Sequence, residues 1–420
     1  MSLLEYFTGI DERIIQYLPQ PGLHSLTLTN KYYRKIAEPH LYRDIQVHSP
    51  NTLSVARLLL TLINRRELAQ HIRSFALVTA DEGRARDATN LSNKASDIEA
   101  RRHSIEIMHE KLFRKSPIMK EVIEKLVNSF RNLQFEVKWY FSVLDATRSI
   151  DGSLDPILCL ATNLEKLRLM SVQSEITEAV CRARWEERTK SASSRVYPLH
   201  KLRNLDVVLG RKASIPTITP METLKVSGEG AGHDFQWPRN GYEAVGTLRS
   251  LELRHITLQP DQLHHMLALP EMHGIQHLKM GNVYLREDHT YDFCRLSELL
   301  QHFLPSLKTF EWTGEESRQW YPRHHPFGSV TGFKHLKELV LGFKYIRPAS
   351  GNIYNPLAHL VHPADSFPDS LKTLKSTGIS RWFLHELEEA SAVSPSHNSI
   401  LTTGTSLGIS TFDLLLDMKV

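Results

Sequence analysis

Cysteine is scarce in this chain: Cys159, Cys181 and Cys294 are the only three in 420 residues. They are too few and too scattered for a disulfide framework, which predicts a reducing compartment, cytoplasmic or nuclear. Long apolar runs are missing as well. The most apolar stretch, Leu53 to Ile63, is interrupted by Arg57 and falls short of the roughly 20 residues that span a bilayer. The opening Met1-Ser-Leu-Leu-Glu-Tyr-Phe has no basic region ahead of an apolar one, so no secretory signal is expected. A surplus of one charge is absent too, with 51 Lys and Arg against 47 Asp and Glu, a net +4. That is too weak over this length to point to nucleic acid, and no membrane partner is expected.

Motifs for metal binding and phosphate cradling are also missing. The chain holds 22 histidines, yet His264-His265 and His324-His325 are neighbours, whose side chains point apart on a helix or strand. No Cys-x-x-Cys, His-Glu-x-x-His or Asp-rich calcium loop occurs, so no metal is expected. Gly228-Glu-Gly-Ala-Gly232 has no following Gly-Lys-Ser/Thr and reads as a surface loop. Cys294 beside Tyr291 and Phe293 suits a small core residue. Aromatic and basic residues do not interleave on a strand platform of the kind that binds single-stranded nucleic acid. The expectation is a protein that is not an enzyme, with no catalytic residues and no cofactor.

What the chain does have is a repeat. Leu248-Arg-Ser-Leu251-Glu-Leu253-Arg-His-Ile256-Thr-Leu258 returns as Ile275-Gln-His-Leu278-Lys-Met280-Gly-Asn-Val283-Tyr-Leu285, with apolar residues at positions 1, 4, 6, 9 and 11 of both. The period sits within the range of leucine-rich repeats, about 20–29 residues. Positions 4 and 6 share one face of a strand, and positions 3, 5 and 7 share the other. The same frame occurs at Ile72/Phe75/Leu77, Phe130/Leu133/Phe135, Leu164/Leu167/Leu169, Leu202/Leu205/Val207 and Met221/Leu224/Val226. It continues at Leu307/Phe310/Trp312, Leu336/Leu339/Leu341 and Leu371/Leu374, with Ser376 in the last slot. Position 9 carries Ile256 and Val283 where such repeats use Asn or Cys to bond the turn, so the turn backbone must be satisfied in another way.

Helical patterns fall between these strands. Amphipathic spacing predicts helices over Asn51 to Glu67, from Pro260-Asp261 to Pro270, and over Ser297 to Leu304. Strands alternating with helices at a short period predict an α/β fold, a leucine-rich-repeat horseshoe with a parallel sheet and outer helices. The array is expected over residues 49–420, with inserts near 81–125, 182–198 and 343–370.

The first 48 residues differ. Ile10, Ile14, Ile15 and Leu18 lie at helical spacing and are stopped by Pro19-Gln-Pro21-Gly22. Leu23, Leu26 and Leu28 form a second apolar set, and Glu38-Pro39-His-Leu41-Tyr42-Arg-Asp-Ile45 moves from proline into a β-prone run. Helices this short bury too little to stand alone. Tyr17-Leu18-Pro19 followed by Leu23 through Leu41-Tyr42-Arg resembles an F-box of the fungal type, over roughly residues 6–47.

With the repeats behind it, the chain resembles F-box/leucine-rich-repeat proteins. That resemblance implies a substrate receptor docked on the Skp-type adaptor of a cullin ubiquitin ligase, presenting a target protein for ubiquitination. It implies adaptor contacts through Ile14, Ile15, Leu18, Pro19, Leu23, Leu26, Leu28 and Leu41. A target protein is expected on the outward strand positions, at Arg168, Lys225, Glu252, Arg254, Lys279 and Glu311. The alternative is a protein-binding scaffold with a degenerate F-box and no ligase association.

Overall fold

A computed structural model describes residues 11–49, 52–79, 160–172, 201–209, 221–228, 248–281, 283–285, 293–313, 330–342, 370–377, 399–406 and 409–416, with a few single positions between. The unit at Phe130/Leu133/Phe135, the pair His324-His325 and the insert at 182–198 lie outside the described residues. The other two inserts also lie outside them, apart from Glu121, Pro368 and Ser370. The protein is α/β and divides into two compact units, residues 1–220 and 221–420.

The first unit opens with a helical turn over residues 11–15, followed by α1 (Gln20–Thr27) and α2 (Lys31–Leu41). Pro19 and Pro21, expected as a stop, also start α1. Pro21 falls in its first turn, where a missing N–H costs nothing. Asn30 caps α2 by accepting the Tyr33 N–H at 2.9 Å. Pro39, expected to open the extended run, instead lies inside α2. Only its own bond back toward Lys35 is forfeited so near the helix end, and Tyr42 N–H still reaches the Glu38 carbonyl at 3.0 Å.

The strand β1 (Asp44–Ser49) leads to α3 (Thr52–Asn64) and α4 (Arg66–Ala69). The single helix expected to Glu67 is thus broken at Arg65, which leaves helical backbone (φ −135°, ψ 73°). Its guanidinium donates to both carboxylate oxygens of Glu38, at 2.6 and 2.8 Å, and to Glu67 at 2.9 Å. That bidentate pair ties α2 to the turn between α3 and α4.

The strands β2 (Ser74–Thr79), β3 (Lys166–Val172) and β4 (Asn204–Leu209) then extend β1 in chain order, all parallel. Register confirms the frame. Ile45, Phe75, Leu167 and Leu205 stand side by side, as do Val47, Leu77, Leu169 and Val207, and all eight are buried. β2 pairs directly with β3, so no strand stands between them in the sheet.

In the second unit β5 (Thr223–Gly228) is followed by two-residue β6 (His233–Asp234), β7 (Ser250–Arg254) and β8 (Ile256–Leu258). Next come α5 (Pro260–Leu267), β9 (His277–Gly281), β10 (Tyr284–Leu285) and α6 (Phe293–Phe303). β11 (Thr309–Thr313), β12 (Glu338–Gly342), β13 (Thr373–Thr377), β14 (Ser399–Ser406) and β15 (Ile409–Leu416) complete it. β5, β7, β9, β11, β12 and β13 pair in parallel, and β15 turns antiparallel onto β13 with β14 beside it. Leu224, Leu251, Leu278, Phe310 and Leu339 form one buried row, and Val226, Leu253, Met280, Trp312 and Leu341 the next. Leu263, Met266 and Leu267 of α5 and Leu296 and Leu300 of α6 are buried as their spacing predicts.

The missing Asn of position 9 is resolved by backbone. After β7 the chain turns at His255, which sits at φ 51° and donates its N–H to the Gly281 carbonyl at 3.0 Å. It then enters β8, which pairs with β6 and β10 in a second, three-stranded parallel sheet. Ile256 is buried in β8, and Val283 is buried just ahead of β10. Pairing replaces the side-chain bond, so an apolar residue fits.

A further regularity marks each strand start. One carbonyl per repeat accepts two N–H groups of the next, at positions 2 and 3. In the second unit the acceptors are Glu222, Arg249, Gln276, Lys308 and Lys337, with every bond between 2.7 and 3.1 Å. In the first unit Arg43, Arg73 and Glu165 do the same.

Candidate functional site

Two surfaces carry the residues singled out from sequence. The first is the helical module at the N-terminus. Ile15, Leu23 and Ala37 form its core, and Leu18, Leu26, Tyr33, Ile36 and Leu41 pack half-buried around them. That leaves Ile14 56 % and Leu28 65 % exposed, with Pro19 exposed as well. So the eight expected adaptor residues divide by burial. Ile15 and Leu23 hold the module together, Leu18, Leu26 and Leu41 line its edge, and Ile14, Pro19 and Leu28 face outward.

Two aromatic residues join the outward set that were not among the expected adaptor contacts. Tyr17 is 87 % exposed one turn beyond Ile14, and its N–H bonds the Ile14 carbonyl at 3.1 Å. Tyr32, at the start of α2, donates its hydroxyl to Asp11 at 3.0 Å. The spacing from Asp11 to Ile14 to Tyr17 was visible in the sequence, whereas the Tyr32 contact crosses two helices.

The second surface is the outward face of the parallel strands. Position 5 runs Lys225, Glu252, Lys279 and Glu311 on neighbouring strands of the second unit. Lys225 pairs with Glu252 at 3.2 Å and Lys279 with Glu311 at 3.1 Å. Arg254 also pairs with Glu252, and Lys375 reaches Glu338 at 3.0 Å. In the first unit Arg168 pairs with Asp206 at 3.3 Å. The alternation of sign is therefore spent largely across strands, and Arg254 and Lys279, both expected to meet a target, act on the carboxylate of Glu252.

Glu252 shows the consequence. Its side chain is only 9 % exposed, covered by the cations around it. Burial alone would raise its carboxyl, but Arg254, Lys225 and Lys279 together outweigh that and hold it below the usual carboxylate range. His277, one strand on, is kept below the ordinary histidine value by burial, with Lys308 and Lys279 adding to it. Its Nδ1 lies 3.1 Å from the Thr309 hydroxyl.

Among the described residues no cluster of three or more His, Cys, Asp or Glu could hold a metal ion. No helix among them is long and apolar enough to cross a membrane. No known family model matches the sequence, and no curated protein is similar to it.

Proposed function

We propose that this chain is a non-catalytic substrate receptor: the helical module docks on the Skp-type adaptor of a cullin ubiquitin ligase, and the strand array presents a target protein. In this reading the array is a leucine-rich-repeat horseshoe whose outward strand face meets the target. The receptor supplies proximity and orientation, while a ubiquitin-charged partner enzyme supplies the chemistry.

The observation that carries the reading is the exposed apolar set of Ile14, Tyr17, Leu28 and Tyr32 on a segment whose sequence resembles an F-box. Ile14, Tyr17 and Leu28 stand outside the module's core, and exposed apolar surface on so small a module points to a partner. The in-register strands with buried positions 4 and 6 support a repeat array as the second half.

The test is co-purification of the full chain with a Skp-type adaptor. Burial dictates the variants. Leu26→Asp would damage the half-buried edge of the module, whereas Leu28→Asp and Ile14→Asp change exposed positions and leave the fold intact. The expected result is capture by wild type and loss in both exposed-residue variants. Failure of wild type to bind any such adaptor overturns the ligase reading and leaves a scaffold.

A further inference from the structure

The position-5 charges are matched across strands, whereas the position-2 cations from Arg249 onward have no carboxylate partner among the described residues. After Glu222, the shared-carbonyl ladder places Arg249, Gln276, Lys308, Lys337 and Lys372 on successive strand starts of the second unit. Lys337 bonds the Lys308 carbonyl at 2.8 Å, and Lys372 bonds that of Lys337 at 2.9 Å. Three lysines thus stand on three adjacent rungs, with Arg249 two rungs before them.

Arg249, Lys337 and Lys372 are exposed, and none forms an ion pair with a carboxylate among the described residues. Lys308 donates only to the Gln276 amide oxygen, at 2.9 Å. Lys334, two residues before Leu336, is exposed as well. Glu338, the carboxylate nearest in sequence, is engaged by Lys375. Like charges about 4.8 Å apart along a sheet repel each other.

We propose that this strand-start column, Arg249, Lys308, Lys337 and Lys372, binds an extended acidic segment of a partner protein. The inference deepens the target-recognition half of the proposed function and is independent of adaptor docking. Dimensions support it. Five rungs span about 19 Å, the length of roughly six extended residues. Carboxylates on alternate residues of such a segment fall about 6.7 Å apart, and the flexible lysine stem absorbs the difference from the rung spacing.

A nucleic acid fits less well. Its unbroken phosphate chain would run beside Glu252, Glu311 and Glu338 on the same strands. The outward positions of β7, β9, β11, β12 and β13 carry no Phe, Tyr or Trp on which a base could stack. A short carboxylate segment can remain on the strand-start column and avoid that acidic row.

The test is fluorescence anisotropy with the full chain and a labelled peptide alternating Glu and Ser. Expected is binding that fades with added salt and weakens roughly tenfold when Lys308, Lys337 and Lys372 are all changed to Gln, the product of three modest ion pairs. Lys337→Gln alone, at an exposed residue with no ion partner among the described residues, should weaken it about two- to threefold, which guards against a folding defect in the triple variant. Lys35→Gln on α2 should leave it unchanged. Absence of peptide binding, or equal binding by the triple variant, overturns the proposal. Displacement of the peptide by an equal concentration of oligothymidylate overturns the choice of partner. The triple variant should still co-purify with the adaptor, so failure here and failure of the ligase reading are told apart.

Discussion

The N-terminal helices and the parallel strands use the same apolar residue types to opposite ends. On the strands Leu251, Leu278 and Phe310 are wholly buried, because each sits in register between two neighbours. In the helical module Ile14 and Leu28 stay more than half exposed, because a core of Ile15, Leu23 and Ala37 is complete without them. A stacked repeat lends every rung a neighbour, while a module of two short helices and a turn runs out of them. Surplus apolar surface therefore collects at the N-terminus, and surplus charge collects on the strand edges.

The strongest way to break that comparison is to cut into the strand core. Leu251→Ala and Leu339→Ala should each cost about 2–5 kcal/mol in denaturant unfolding, the range for a buried leucine. A cost near zero at either position would mean that the rows are not load-sharing neighbours. The joint between module and strands comes next. Glu38→Gln removes one side of the bidentate pair with Arg65 and should cost about 1 kcal/mol, because Arg65 is partly exposed.

That cost should depend on pH. The hydrogen bonds from Arg65 hold the Glu38 carboxyl below its ordinary value, so the pair stabilises the fold above the unfolded carboxylate range. The difference between wild type and Glu38→Gln should shrink as pH falls through that lowered value. Melting curves from neutral to acidic pH would show the two lines converging.

Smaller effects sharpen the comparison on the outward face. Arg254→Glu replaces a cation that covers Glu252 with a second carboxylate and should cost about 1 kcal/mol. The direction is the same as for Glu38: Arg254 is one of the cations that hold the Glu252 carboxyl below its usual value, so the variant's deficit should diminish as pH falls and Glu252 takes up a proton. Smallest of all is Leu28→Asp, which should change stability by no more than about 0.5 kcal/mol, as exposed substitutions do. A large loss there would mean that Leu28 is buried against part of this chain and is not a docking residue.

Much of the strand architecture was legible before any coordinates. Alternation at positions 4 and 6 is a local property of a pleated backbone, so Phe75, Leu167, Leu205, Leu251, Leu278 and Phe310 announced their row. Helix ends were less legible. Pro39 and Arg65 were misplaced because a proline in a last helical turn loses one bond only, and because Arg65 departs from the helix toward a carboxylate 27 residues away. The substitution of Asn by Ile256 and Val283 was visible, but its answer, a second sheet through β8, was not.

The sequence by itself determined which residues are apolar at strand spacing, where the period returns, and that the charges at position 5 alternate. Only the tertiary structure decided which of those charges meet, because partners such as Lys225 and Glu252 are joined by register between strands. It also decided that Leu23 is buried and Leu28 exposed, although both belong to one apolar set. Hydropathy is carried by a single residue. Burial and pairing belong to neighbours supplied by the fold.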